Sequence, residues 1–217
     1  MKKKANIPSS EDYRESMGRL LVLYTQVDRL IMEICAERIA TAPDLAAKLA
    51  LARQVGDEGR HVEIQHRWMR EFGTETSPVI SAEHEAMIRA HFRNLSWLDF
   101  LVDMYLCVEA LGSEAVENIV PLADPGTRES LQVPLGDEQD HIAFGISRLK
   151  KELSKLPVGQ RDSYLAGIPQ RIGMLAETFH HLGLDVATMF ENVGASYTTL
   201  CHAVLQRRDE VLEEVAA

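Results

Sequence analysis

The sequence contains "DEGRH" at Asp57–His61 and "DEQDH" at Asp137–His141, so a Glu-x-x-His pair preceded by Asp occurs twice. On a helix, residues three apart share a face, which puts Glu58 with His61 and Glu138 with His141. The neighbours at helical spacing are apolar. Around Glu58 they are Leu51, Val55, Val62 and Met69; around Glu138 they are Leu131, Leu135, Ile142, Gly145 and Leu149. Both pairs therefore fall on stripes that a helical protein buries. A carboxylate and an imidazole placed there are costly unless paired, protonated or bound to metal.

The rest of the chain agrees with an all-α fold. Apolar residues recur at three and four, and no alternating strand pattern is present. The periodicity predicts a helix from Ser10, as N-cap, to about Thr41. A second restarts at Pro43 and stops at Gly73. A third segment, from Ser81 to Val120, is expected to bend near Asn94-Leu95-Ser96. A fourth covers about 127–156, its start distorted by Pro134 and Gly136. A last pair covers about 161–182, interrupted at Pro169, and about 185–215. Four long helices with short connections make an antiparallel four-helix bundle. The expectation is one helical domain over 1–217, with the bundle in 10–156 and extra C-terminal helices packed on it from 160–215.

Two further acids join the paired motifs. Glu109 shares a stripe with Leu98, Leu101, Val102, Tyr105, Gly112 and Val116, with no basic residue to neutralise it. In the first helix, Asp28, Glu33 and Glu37 compete. Glu33 and Glu37 lie with Arg19, Gln26 and Arg29 on a wet face, whereas Asp28 lies on the Leu21–Tyr24–Ile31–Cys35 stripe. Height points the same way: Asp28 and Glu58 are each about 15 residues from the turn at Ala42-Pro43, so a hairpin sets them level.

The interior then holds Asp28, Glu58, His61, Glu109, Glu138 and His141. Four carboxylates and two imidazoles suit two iron ions, or manganese, bridged by carboxylate; zinc sites usually take more nitrogen or sulfur. A buried salt-bridge network is the bland alternative. Asp57 and Asp137 are expected to accept from the histidine of the opposite motif, the alternative being a solvated acid on a helix flank. Tyr24, Tyr105 and Gly112 are candidates to line a pocket beside the metals. "ETFHHLG" could send a further imidazole from the C-terminal helices.

"QVGDEGRHVEIQHRW" and "DEQDHIAFG" resemble the DE-x-x-H helices of the ferritin-like superfamily's oxygen-activating branch, which includes ribonucleotide reductase small subunits and multicomponent monooxygenases. "VEALGSEAVENIVPLADP…DEQDHIAFG" is similar in spacing to cyanobacterial aldehyde-deformylating oxygenases. The resemblance covers about Asp28 to Lys151 and implies the same six residues as ligands, with Asp28 where such chains commonly carry Glu. Standard reductase subunits carry a radical Tyr seven residues after the first Glu of the second helix. Gln65 stands there, which speaks against a reductase role.

The resemblance implies a di-iron (or Fe/Mn) oxygenase or oxidase. It would activate O2 to oxidise a small, mostly apolar organic substrate by hydroxylation, N-oxygenation or a related reaction. No catalytic residue beyond the metal ligands is expected. Electrons would come from a separate protein, since no nicotinamide-binding glycine pattern is present. Iron handling as a ferroxidase or storage protein is the alternative. A tRNA hydroxylase is disfavoured, because a net charge of −10 leaves no basic face for nucleic acid. The opening "MKKK" has no apolar run behind it, and no stretch is long and apolar enough to span a membrane. Three scattered cysteines read as reduced thiols, so a cytoplasmic location is expected, and a homodimer stays open.

Overall fold

A computed structural model describes residues 10–74, 77–180 and 185–217, with backbone alone at 176–180. The described residues are helical, with no strand among them. Helices α1 (Glu11–Ile39) and α2 (Leu45–Phe72) form the first hairpin. Ser10 caps α1 by accepting from the Tyr13 N–H. Helix α2 begins two residues later than Pro43 suggests, because Asp44 is the extended capping residue and accepts from Ala47 N–H at 2.9 Å. Gly73 ends α2 in the left-handed region at φ 79°, where a side chain would be strained.

The expected bent third helix is broken in two. α3 (Ala82–Arg93) stops at Asn94, and Ser96 caps a new helix, α4 (Trp97–Leu101), by accepting from Asp99 N–H. α4 runs directly into a π-helical stretch, Val102–Glu109, and then into α5 (Ala110–Ile119). α6 (Pro125–Leu153) starts earlier than expected, with Asp124 accepting from Gly126 and Thr127 and Pro125 in the first turn, where no N–H is needed. It continues unbroken through Pro134 and Gly136. α7 (Val158–His180) likewise runs through Pro169. The predicted last helix is two: α8 (Val186–Asn192) and α9 (Tyr197–Ala216). Gly194, at φ 93°, turns the chain between them, and Ser196 caps α9.

α1 packs along α2, α2 on α6, and α6 on the π-helical stretch and α5; these are the walls of the bundle. α7 lies on the π-helical stretch, α8 on α1, and α9 against α5 and α6. Two apolar clusters fill the interior. One gathers Leu30, Ile34, Leu51, Phe100, Leu106 and Leu149; the other gathers Met17, Leu20, Trp68, Phe72, Ile119 and Phe190. Along α1, α2 and the π-helical stretch with α5, the residues between these clusters form a polar belt: Asp28, Gln54, Glu58, His61, Gln65, Glu109 and Ser113, all buried. His141, also buried, joins it from α6.

The contact between α6 and the π-helical stretch depends on Gly145. A methyl group added there would overlap Tyr105 at its Cβ and Cγ, the stem of a fully buried side chain that cannot swing aside. Gly145→Ala is expected to destabilise the fold by about 1–3 kcal/mol through overpacking. A thermal melt checks this, and an unchanged Tm would show that the two elements separate without cost.

Candidate metal centre

The structure brings the six sequence-derived residues to one level of the bundle. Asp28, Glu58 and His61 each offer a ligating atom, and these atoms lie within 4.8 Å of one another. Glu58, Glu109 and His141 form a second such group. Glu58 belongs to both. Glu138 stands in neither; its Oε2 accepts from the Ser113 hydroxyl. The competing acids of α1 are elsewhere. Glu33 pairs with Arg29 at 2.8 Å and Arg89 at 2.9 Å, and Glu37 pairs with Arg93 at 3.1 Å on the solvent side.

The histidines turn Nδ1 inward and Nε2 outward. His61 Nε2 lies 2.9 Å from Asp137 Oδ2, and His141 Nε2 lies 3.4 Å from Asp57 Oδ2. Each aspartate thus faces the histidine of the other motif. Arg60, half exposed, donates to both aspartates, at 3.0 Å to Asp57 and 2.6 Å to Asp137. On the inner side, His61 Nδ1 is 3.2 Å from Glu58 Oε2, while His141 Nδ1 is 3.4 Å from Glu58 Oε1 and 3.8 Å from Glu109 Oε2.

The other carboxylates are held by neutral donors. Gln65 donates to Asp28 at 2.8 Å, and Gln54 donates to Glu109 at 2.5 Å. Tyr105, expected in the pocket, is instead buried behind Gln54 and donates to its Oε1 at 2.8 Å. Tyr105 and Glu109 thus share one side of the element and both meet the Gln54 amide. His181 lies outside the described residues, as does the side chain of His180.

No protein-family model matches the sequence, and no curated protein matches it. Solved structures do. A protein from Synechococcus with aldehyde deformylating oxidase activity superposes with a TM-score of 0.79 at 18% identity, over 96% of this chain and 93% of that one. The fold is ferritin-like. A variant R2-like ligand-binding oxidase with an aerobically reconstituted Mn/Fe cofactor follows at TM-score 0.69 and 14% identity, covering 94% of this chain and 82% of its own. A second variant of that oxidase gives 0.67, also at 14% identity, over 94% of this chain and 81% of its own.

Inside this ferritin-like belt, burial and like charge act together on the acids. Burial, then the charges of Glu58 and Glu138, push Asp28 well above the usual carboxylate range. Burial lifts Glu109 to about 7, against the lowering effect of His141. Glu138 also rises by burial, although the Ser113 hydrogen bond opposes it. Burial alone would lower the histidines, yet the adjacent carboxylates outweigh it. Glu58 and Asp137 take His61 up to about 9, and Glu109, Glu58 and Asp57 do the same for His141. Asp137 goes the other way. Burial is offset by His61 and Arg60, which hold it below its ordinary value.

The donor set fits two cations. Glu58 Oε1 and His141 Nδ1 are buried and, although 3.4 Å apart, make no hydrogen bond among the described residues. A buried polar atom left without one costs about 1–3 kcal/mol. A cation in each group would engage both atoms, with Glu58 shared, while each histidine Nε2–H would donate to its aspartate.

A cavity of about 230 Å³ opens beside the carboxylates and not beside the histidines. Asp28, Glu109, Glu138 and Gln65 form its inner end. Its wall is otherwise mainly hydrocarbon from α1, the π-helical stretch, α5, α6 and α8, including Leu23, Val27, Val116, Leu131 and Phe190. Tyr24 and Gly112 also line it. Gly112 is exposed, and a methyl group there would meet open space, so it stands at the mouth. Sequence reasoning missed Gln54 and Ser113. The signal was present: Gln54 lies one turn before Glu58 and Ser113 one turn after Glu109, each a polar residue on a core stripe.

Proposed function

We propose that this chain is a non-haem di-metal oxidase or oxygenase that uses O2 to oxidise a small, mostly apolar organic substrate. The observation that carries the reading is Glu58, a single buried carboxylate common to two groups that each also contain one histidine and one further acid. Asp28, Glu58 and His61 would hold one cation, and Glu58, Glu109 and His141 the other, and Glu138, on the cavity side, would be a further ligand. Iron, or iron with manganese, suits this oxygen-rich set. When bound, such a pair supplies the redox chemistry that activates O2.

The chain's own residues supply positioning. Asp57 and Asp137 fix the histidine rings from outside, and Arg60 ties the two aspartates together. Gln65, Gln54 and Ser113 orient Asp28, Glu109 and Glu138 without adding positive charge that would compete with a cation. The apolar wall holds a substrate against the carboxylate side and keeps bulk water from it. Electrons come from a separate donor protein in this reading, in a cytoplasmic setting.

Elemental analysis and O2 exposure test the proposal. Protein reconstituted anaerobically with ferrous iron should hold two ions per chain and change its visible absorbance when O2 is admitted. Chains that hold no metal would reject it. The same assay tests the choice within α1. Asp28→Ala is expected to lose at least one ion, while Glu33→Ala, whose partners are arginines, keeps both. The reverse result would move the ligand to the solvent face.

A further inference from the structure

Two polar atoms on the cavity wall have no hydrogen-bond partner among the described residues. Tyr24 Oη and Gln65 Oε1 are both buried without a hydrogen-bond partner among the described residues, and both side chains line the cavity. Gln65 is 1% exposed. The two atoms ask for different things. The Gln65 amide N–H is committed to Asp28, so its free Oε1 only accepts. The Tyr24 hydroxyl donates or accepts, and burial, followed by the charge of Glu138, keeps it a neutral phenol. Around them the wall is mainly hydrocarbon, and no described residue that lines it is basic.

We propose that the cavity takes a compact, largely apolar molecule carrying one hydroxyl or amino group, held by Tyr24 and Gln65. This rests on the di-metal reading for where oxidation occurs, and it names the class of substrate. A hydroxyl or amine accepts from Tyr24 Oη and donates to Gln65 Oε1. A carbonyl or ether only accepts, which leaves Gln65 bare, and a hydrocarbon leaves both atoms bare. Leaving a buried polar atom unpaired weakens binding by about tenfold. Size is limited too. At the packing density of a protein interior, about 230 Å³ admits roughly a dozen non-hydrogen atoms.

Naphthol and naphthalene are probes of that size that differ by one hydroxyl. Their affinities are to be measured by calorimetry on the full chain and on Tyr24→Phe, which keeps the ring and removes the hydroxyl. The wild-type chain should bind naphthol about a hundredfold more tightly than naphthalene, about tenfold for each of the two atoms. Tyr24→Phe should cut that preference to about tenfold, by binding naphthalene more tightly, while its Tm stays unchanged. Equal affinities in the wild-type chain, an undiminished preference in Tyr24→Phe, or no binding of either probe would overturn the inference. Metal content of the same samples separates the two readings. A Tyr24-dependent preference in protein unable to hold metal supports this inference and rejects the di-metal centre. Metal-replete protein without the preference rejects this inference alone.

Discussion

Glu58→Ala is expected to empty both cation positions in one step. Glu58 is the residue common to the two groups of ligating atoms, so its loss leaves each group with one acid and one imidazole. His141→Ala should be milder for binding, because His61, Asp28 and Glu58 remain around the other position. Metal content should fall from two ions per chain to near zero in Glu58→Ala, and oxidation of any substrate should drop by more than about 100-fold. The helical signal in circular dichroism should stay, since the apolar clusters on either side of the belt do not involve Glu58. Glu58→Ala protein that still carries two ions would overturn the ligand assignment.

The second large effect concerns acidity in metal-free protein. Glu109 is raised from 4.5 to about 7, and Asp28 and Glu138 move in the same direction. A carboxyl raised by folding contributes stability that is complete below its unfolded value and is lost as pH climbs through its folded value. His61 is raised from 6.5 to about 9 chiefly by Glu58 and Asp137, and His141 equally by Glu109, Glu58 and Asp57. Their contribution is complete below pH 6.5 and is lost as pH rises through 9. Both sets act with one sign, so metal-free protein should lose stability steadily between about pH 5 and 9. The loss is on the order of a few kcal/mol, or roughly 10 °C in Tm. Asp137, held low by His61 and Arg60, is ionised throughout and does not alter the slope. Cations replace the bound protons, so the gain in Tm on adding metal should grow with pH. Melting curves with and without metal at several pH values read this directly. A metal-free Tm that rises from pH 5 to 9 would contradict the electrostatics of the belt.

Much of the centre was legible because ionisable residues on apolar stripes have few physical explanations. Asp28 could be chosen over Glu33 because level and face both follow from the α-helical rise and twist. The π-helical stretch was not legible. All its residues except Val108 are buried, so no polar face marks the winding, and the sequence around Tyr105 and Glu109 fits an ordinary helix equally well. Tyr105, expected in the pocket, lies behind Gln54 because the Gln54 amide stands between it and the acids. The bend expected at 94–96 is a full break, and the split at 193–196 was missed, because each depends on a capping serine whose role shows only when the chain around it is extended. The cavity needed tertiary structure, whereas the pairing of Asp57 and Asp137 with the histidine of the opposite motif was expected from their place in the motif.

The wide-wound turns from Val102 to Glu109 also bear on how such a chain could change over generations. Deleting one residue there would let Trp97–Ile119 relax into a regular α-helix, with better backbone geometry than before. The same deletion would change how Glu109, Gly112 and Ser113 are aimed at the belt, since wide and regular winding sweep different angles over the stretch. On the di-metal reading, a descendant would thus lose its catalysis through a mutation its architecture tolerates well, leaving an inert relative with nearly the ancestral shape.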